Sequence, residues 1–209
     1  MKVALYGSTG KAGSRILKEL VSRGHRVTAI ARDPAKLEGV AGITTKQDDL
    51  SDVNRTAEAI RGVDAVISAY APPQDNTDEI VEVTQRQVEA VKRAGIPRLL
   101  VVGGAGGLKV APGVTLLDSG YLPDAYKPIA TSHVRALNVL KTSDIDWTYL
   151  APAAYFEPGE RTAKFRLGND ELIANEKQES RISMEDYAIA LVNELEKPEH
   201  RKQRFSVGY

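Results

Sequence analysis

Short apolar runs recur along the first 150 residues and alternate with amphipathic stretches. The runs are rich in Val and Ile and are mostly continuous, which is typical of strands buried on both faces of a parallel sheet. They predict six strands: Val3–Tyr6, Arg26–Ala31, Ile43–Thr45, Ala65–Ser68, Arg98–Val102 and Trp147–Leu150.

Helical stretches lie between these runs. The first has Ile16, Leu17, Leu20 and Val21 on one face and ends at Gly24. Two longer helices are predicted at Thr77–Ala94 and at about Pro128–Lys141. This βαβ alternation predicts an α/β fold, a doubly wound parallel sheet of the Rossmann type with helices on both faces.

Two regions interrupt the alternation. Gly103–Asp124 follows a strand, is rich in Gly and Pro, and is expected to be a ligand-binding loop. After Pro152 the sequence predicts a loop at Pro152–Gly168, a short strand at Glu171–Ala174, a helix at Ser183–Glu196 and a last strand at Arg204–Val207. We expect a single domain over residues 1–209, with residues 152–209 forming a small C-terminal lobe on the substrate side.

Composition narrows the function classes. The 28 basic residues balance 28 acidic ones, so no electrostatic footprint for nucleic acid or an anionic membrane is present. The chain has no cysteine and only three, widely separated histidines, which disfavours thiolate chemistry and a metal site. No apolar run approaches the ~20 residues of a membrane span, and no signal peptide is recognisable, so we expect a cytoplasmic protein.

A glycine-rich loop, GSTGKAG, joins the first strand to the first helix. Gly7 permits a tight turn, Gly10 allows backbone to approach a pyrophosphate, and Gly13 allows the helix to pack against the strand. The helix N-terminus then offers free N–H groups to a phosphate. The alternative is a tight turn that binds no ligand.

The ends of the next two strands bear on cofactor choice. Arg32 stands where an NAD-specific site usually has an acidic residue, and its guanidinium can pair with a 2′-phosphate, which favours NADP(H) over NAD(H). Asp33, one residue further on, is also compatible with NAD(H) as the cofactor. The alternative for Arg32 is an exposed cation that binds no ligand. Asp48 and Asp49 follow the third strand, where a carboxylate can bind the adenine amino group or cap the helix beginning near Ser51.

Motifs along nearly the whole chain resemble one superfamily. They are GSTGKAG, ARDP, QDDL, VISAY, VVGGAGGL, ISMEDYA and RFSVGY. Together they are similar to the atypical short-chain dehydrogenases/reductases, and more narrowly to NmrA-like proteins of the NADH-flavin reductase and biliverdin-IXβ/flavin reductase type.

The resemblance implies a set of cofactor-binding positions. Around the diphosphate it places Gly7, Ser8, Thr9, Gly10, Lys11, Ala12 and Gly13. Arg32 is expected at the adenosine 2′ position and Asp49 near adenine. Around the ribose and nicotinamide it places Ser68, Ala69, Tyr70, Gly103, Gly104, Ala105, Pro152, Ala153, Ala154 and Tyr155.

The superfamily's usual catalytic Tyr and Lys, four residues apart on a helix, are missing. Ala130 follows Tyr126 at that spacing, and Gly104 replaces the strand-end Ser. By the same resemblance His133 takes the position of the tyrosine and Leu137 that of the lysine. His133 and Tyr126 are the candidate catalytic residues, although both also fit packing roles, since His133 shares a helical face with apolar residues.

This absence favours an acceptor that needs little acid assistance. A flavin or quinone spreads the charge of an incoming hydride over its ring, so alignment of two stacked rings contributes most. We expect an NAD(P)H-dependent reductase of a free flavin or another aromatic acceptor, with flavin as substrate rather than prosthetic group, acting as a monomer or homodimer. The alternatives are an NmrA-like redox sensor without turnover and, less favoured, a nucleotide-sugar epimerase or dehydratase.

Overall fold

An eight-stranded, mostly parallel sheet forms the centre of the protein in a computed structural model that describes residues 1–209. The strands are β1 Lys2–Tyr6, β2 Arg26–Ala31, β3 Ile43–Gln47, β4 Ala65–Ser68, β5 Leu99–Val102, β6 Lys109–Ala111, β7 Val114–Thr115, β8 Trp147–Ala151, β9 Tyr155–Glu157, β10 Arg166–Gly168, β11 Arg181–Ser183 and β12 Gln203–Gly208. The sheet order is β10-β12-β8-β5-β4-β1-β2-β3, and only β10 runs antiparallel to its neighbour. The predicted doubly wound fold is therefore confirmed.

Helices cover both faces of this sheet. They are α1 Lys11–Ser22, α2 Val53–Ala59, α3 Glu79–Ala94, α4 Lys127–Lys141 and α5 Met184–Glu196, with 3-10 turns at Pro34–Leu37 and Asp124–Tyr126. On one face α1 packs against α5, and on the other α3 packs against both α2 and α4. None of the five helices combines the length and the apolar character that crossing a membrane requires.

Alternate residues of the strands feed two hydrophobic cores. Val3 and Leu5 point into the core under α1 and α5, whereas Ala4 and Tyr6 point into the core under α2, α3 and α4. This alternation explains why the strand sequences are continuously apolar: both faces are buried. Because these strands run parallel, their carboxyl ends lie at one edge of the sheet, together with the loops that follow them.

Residues beyond Ala151 differ from prediction in several places. The stretch predicted as a loop, Pro152–Gly168, contains both β9 and β10, and the strand predicted at Glu171–Ala174 is wrong, since only an isolated bridge joins Glu171 to Lys109. β9 and β11 form a small separate parallel pair. The predicted helix and last strand are present as α5 and β12, and Ser183 caps α5 by accepting a bond from the Asp186 amide at 3.0 Å.

The long loop after β5 also contains some regular structure. Within Gly103–Asp124, β6 and β7 form a short antiparallel hairpin around Gly113. Neither Asp48 nor Asp49 caps α2; the cap is Asp52, which accepts a hydrogen bond from the Arg55 amide at 2.8 Å.

Candidate functional site

The glycine loop turns tightly between β1 and α1. Gly7 has φ +75°, and a Cβ there would lie 2.1 Å from the Ala69 carbonyl oxygen. A Cβ on Gly13 would lie 2.0 Å from the Gly7 carbonyl oxygen, so the first turn of α1 rests directly on the loop. A Cβ on Gly10 would meet only the Gly7 oxygen, at 3.2 Å. Gly7 and Gly13 thus serve internal packing, while Gly10 leaves the outer side of the loop open.

Polar groups at this loop are left without partners. The amides of Lys11, Ala12 and Gly13 begin α1 and donate to no acceptor within the protein, and Gly10 provides no side-chain cap. Ser8 is buried, and its hydroxyl also has no hydrogen-bond partner. Buried polar groups are normally satisfied, so this cradle fits an anionic group such as a diphosphate.

A cleft of about 150 Å³ extends from the glycine loop along the ends of β2, β3 and β4. Its lining contains the predicted residues Gly7, Thr9, Gly10, Arg32, Asp49, Ala69 and Tyr70. Ser68 is buried at the end of β4, immediately before Ala69. The carboxyl ends of the parallel strands thus bring together the residues expected around the adenosine half of a dinucleotide.

Arg32 and Asp33 have different roles at the end of β2. The Arg32 guanidinium is exposed and makes no hydrogen bond or ion pair within the protein, whereas the Asp33 carboxylate accepts from the Ala35 amide at 3.2 Å and caps the turn at Pro34–Leu37. Near Arg32, burial and the Glu79 carboxylate raise the pKa of Tyr70. The Arg32 guanidinium is therefore available to an anionic ligand, whereas the Asp33 carboxylate is already engaged.

Asp48 and Asp49 also separate into two roles. Asp48 is buried and accepts bonds from the Tyr6 hydroxyl at 2.8 Å, the Thr56 hydroxyl at 2.9 Å and Arg55 Nε at 3.1 Å. Its carboxylate therefore ties β1 to α2, and burial beside it raises the pKa of Tyr6. Asp49 is about half exposed, pairs with Arg55, and lines the cleft, where a carboxylate can receive an amino group.

Gly103 and Gly104 lie between β5 and β8, further along the same edge. A Cβ on Gly103 would lie 2.2 Å from the Tyr149 ring, and one on Gly104 would lie 2.9 Å from the His133 ring. The Gly104 amide donates to the Tyr149 hydroxyl at 2.9 Å. The two glycines thus let one aromatic ring and one imidazole approach the backbone closely.

His133 projects from α4 onto this backbone. Its Nδ1 lies 3.3 Å from the Tyr149 hydroxyl, and its Nε2 has no partner in the protein. Burial lowers the pKa of His133 to about 4. The imidazole is therefore neutral near pH 7, where it can donate one hydrogen bond but is a poor source of a proton.

The remaining predicted residues do not form one group. Tyr126 ends the 3-10 turn just before α4, is 61% exposed and makes no side-chain hydrogen bond. Ala105, Pro152, Ala153 and Ala154 lie on loops that leave β5 and β8 at the same edge. Tyr155 is also exposed and lines a second cavity of about 270 Å³, under the Arg181 guanidinium at 5.3 Å from its ring centre.

Tyr149 and Tyr6 were missed by sequence reasoning. Each lies in an apolar run that predicts a buried strand, and each ring is indeed buried. Their hydroxyls nevertheless reach polar partners in distant segments, His133 and Asp48 respectively. A tyrosine within an otherwise aliphatic strand is the available signal, because a buried phenol hydroxyl needs a partner.

Comparisons with known proteins agree with this geometry. A family model described as NAD(P)H-binding matches residues 7–198. "Uncharacterized protein YwnB" of Bacillus subtilis is 43% identical over 99% of this chain and 98% of its own length. The match therefore extends well beyond the glycine loop.

Solved structures give the same result. A "putative epimerase" from Bacteroides thetaiotaomicron is 41% identical, with a TM-score of 0.94 over 100% of this chain and 96% of that one. A "putative NADH-flavin reductase" from Streptococcus pneumoniae is 36% identical, with a TM-score of 0.90 over 100% and 99%. An anaerobilin reductase from Escherichia coli is 21% identical over 99% and 96%, with a TM-score of 0.79, and shares the fold.

Proposed function

Because the chain belongs to the NAD(P)H-binding oxidoreductase family, an atypical short-chain dehydrogenase/reductase family, we propose that it transfers hydride from NADPH to a free flavin or another aromatic acceptor such as a quinone. The streptococcal relative, described as a "putative NADH-flavin reductase", supports this acceptor class.

The cradle at the glycine loop supports the cofactor part of the proposal. The free amides of Lys11, Ala12 and Gly13 and the unpartnered Ser8 hydroxyl would hold the diphosphate, and Arg32 would hold the 2′-phosphate of NADPH. The bound cofactor supplies a hydride. The chain itself contributes the orientation of the two reactants and the polar surroundings of the acceptor.

The environment of His133 is the observation that carries the acceptor class. Carbonyl reduction leaves an alkoxide that needs a proton, yet burial lowers the pKa of His133 to about 4 and raises the pKa of Tyr149. Neither group is therefore a good proton donor to an alkoxide at pH 7. A flavin or quinone depends less on such a donor, because its ring delocalises the added charge, and a neutral imidazole N–H can still orient it.

The test is acceptor-dependent oxidation of NADPH and NADH with FMN, FAD, riboflavin or a quinone. The natural protein is compared with His133→Ala and with His200→Ala, a control histidine bound to Glu194 at 2.8 Å. We expect acceptor-dependent oxidation, reduced about tenfold by His133→Ala only, as for loss of one oriented hydrogen bond. Cofactor binding by calorimetry without oxidation for any acceptor would contradict a reductase and support the NmrA-like sensor.

A further inference from the structure

The Tyr149 hydroxyl lies between two partners, the Gly104 amide and His133. It accepts the Gly104 amide proton at 2.9 Å, so its own proton is left for His133. His133 Nδ1 lies 3.3 Å away and the His133 carbonyl oxygen 3.5 Å away. Since 3.5 Å is long for an O–H···O bond, the ring nitrogen is the better acceptor.

This direction determines which imidazole nitrogen carries the proton. A neutral imidazole has one N–H and one bare nitrogen, and the nitrogen that accepts a bond is the bare one. If Nδ1 accepts from Tyr149, the proton must be on Nε2. Nε2 has no partner within the protein, so its N–H is free to donate to a ligand.

Close packing holds the three groups in place. The Tyr149 ring lies against Gly103, where a Cβ would be 2.2 Å away, and the His133 ring lies against Gly104. The Tyr149 ring is buried within β8, between β5 and β12. The hydroxyl can therefore neither swing away nor exchange its partner for water without moving the backbone of the loop.

We infer that Tyr149 is a positioning residue: its hydroxyl holds His133 in the Nε2–H tautomer, so that a neutral N–H is presented to the electron acceptor. The inference rests on the proposed function for the role of that N–H, but not for the tautomer itself. This role also explains why β8, WTYLA, has a tyrosine at this position, since phenylalanine would fill the same space without a hydroxyl.

Nitrogen-15 NMR of the imidazole rings tests this directly. The chain has three histidines, and the signal lost in His133→Gln identifies His133. We expect the Nε2–H tautomer in the natural protein and a shift toward Nδ1–H, or a mixture, in Tyr149→Phe. The control is Tyr187→Phe, which removes a similarly buried hydroxyl that donates to the Leu150 carbonyl at 2.8 Å, and it should leave the tautomer unchanged.

Two results would overturn the inference: an Nδ1–H tautomer in the natural protein, or an unchanged Nε2–H tautomer in folded Tyr149→Phe. The first result requires no substitution of Tyr149, so it decides even if Tyr149→Phe fails to fold. Where turnover is found, Tyr149→Phe should lower kcat about tenfold and leave the KM for NADPH unchanged. Absence of turnover with the expected tautomer shift would reject the acceptor class but keep the positioning role.

Discussion

The proposed adenosine end and the proposed acceptor end of the site are built differently at the same sheet edge. At the adenosine end, Gly7 to Gly13 form one continuous turn into α1, Arg32 directly follows β2, and Asp49 lies just beyond the end of β3. At the acceptor end, Gly104, His133 and Tyr149 come from a loop, a helix and a strand, and they meet through side-chain contacts. Short sequence motifs can therefore predict the residues of the adenosine end, whereas those of the acceptor end are brought together only by tertiary packing.

The largest predicted effect tests the adenosine end through Gly7→Ala. The new Cβ would lie 2.1 Å from the Ala69 carbonyl oxygen, at a residue with φ +75°. We therefore expect the free energy of unfolding to fall by about 3 to 5 kcal/mol. We also expect cofactor binding to be lost, because the loop can no longer keep its shape. Gly24→Ala is the matched control, since Gly24 has φ +76° with no atom within 4 Å, and should cost only about 1 kcal/mol. Equal losses in denaturant unfolding would show that the close contact is unimportant.

The second prediction concerns the acceptor end and pH. Burial lowers the pKa of folded His133 to about 4, whereas the unfolded value is near 6.5, so the unfolded state binds more protons between these values. Stability should therefore rise with pH across this window, and about 3 kcal/mol should be lost as pH falls from 6.5 to below 4. His133→Gln should remove this dependence of stability on pH. If the variant keeps the same slope, the imidazole of His133 is not buried in the folded protein.

The third prediction separates the two adjacent aspartates of the adenosine end. Asp48→Asn turns an acceptor of Tyr6, Thr56 and Arg55 into a group with donors of its own, so we expect about 2 kcal/mol of destabilisation. Asp49→Asn changes a half-exposed side chain and should cost less than about 1 kcal/mol. Thermal or urea unfolding measures both, and a larger loss for Asp49→Asn would contradict the division of roles.

The smallest predicted effect concerns the choice of cofactor. Arg32→Ala removes an unpaired cation and should weaken NADPH binding about tenfold, with NADH binding nearly unchanged. Arg61→Ala, an exposed arginine paired with Glu58 on α2, is the control and should change neither affinity. Equal weakening of both cofactors by Arg32→Ala would argue against a 2′-phosphate contact.

Strands could be predicted from the sequence where burial on both faces makes their own residues continuously apolar. β1, β2 and β4 are apolar because both faces are buried, and their periodicity therefore identifies them. β10 contains only Arg166–Gly168, has two exposed residues, and exists because β12 lies beside it. No periodicity within three residues can report a pairing partner so distant in the chain.

The same distinction explains what was missed in the candidate site. The spacing of Gly7, Gly10 and Gly13 predicted a phosphate-binding turn, because those residues act on one another within a single loop. Tyr149 is indistinguishable from a core aromatic until β8 is placed beside β5 and α4 lies over their ends. Residues that act on one another within a single loop are therefore easier to predict than groups that meet only through tertiary packing.

The position of β12 between β8 and β10 has a consequence for the order of folding during synthesis. β1, β2 and β3 pair with strands adjacent in sequence and can begin to assemble as they are made. β10 has to wait for Gln203–Gly208, its only partner in the sheet, and until then the outer edge of β8 stays open. A nascent chain that pauses before residue 203 would thus expose the backbone of a buried strand to aggregation.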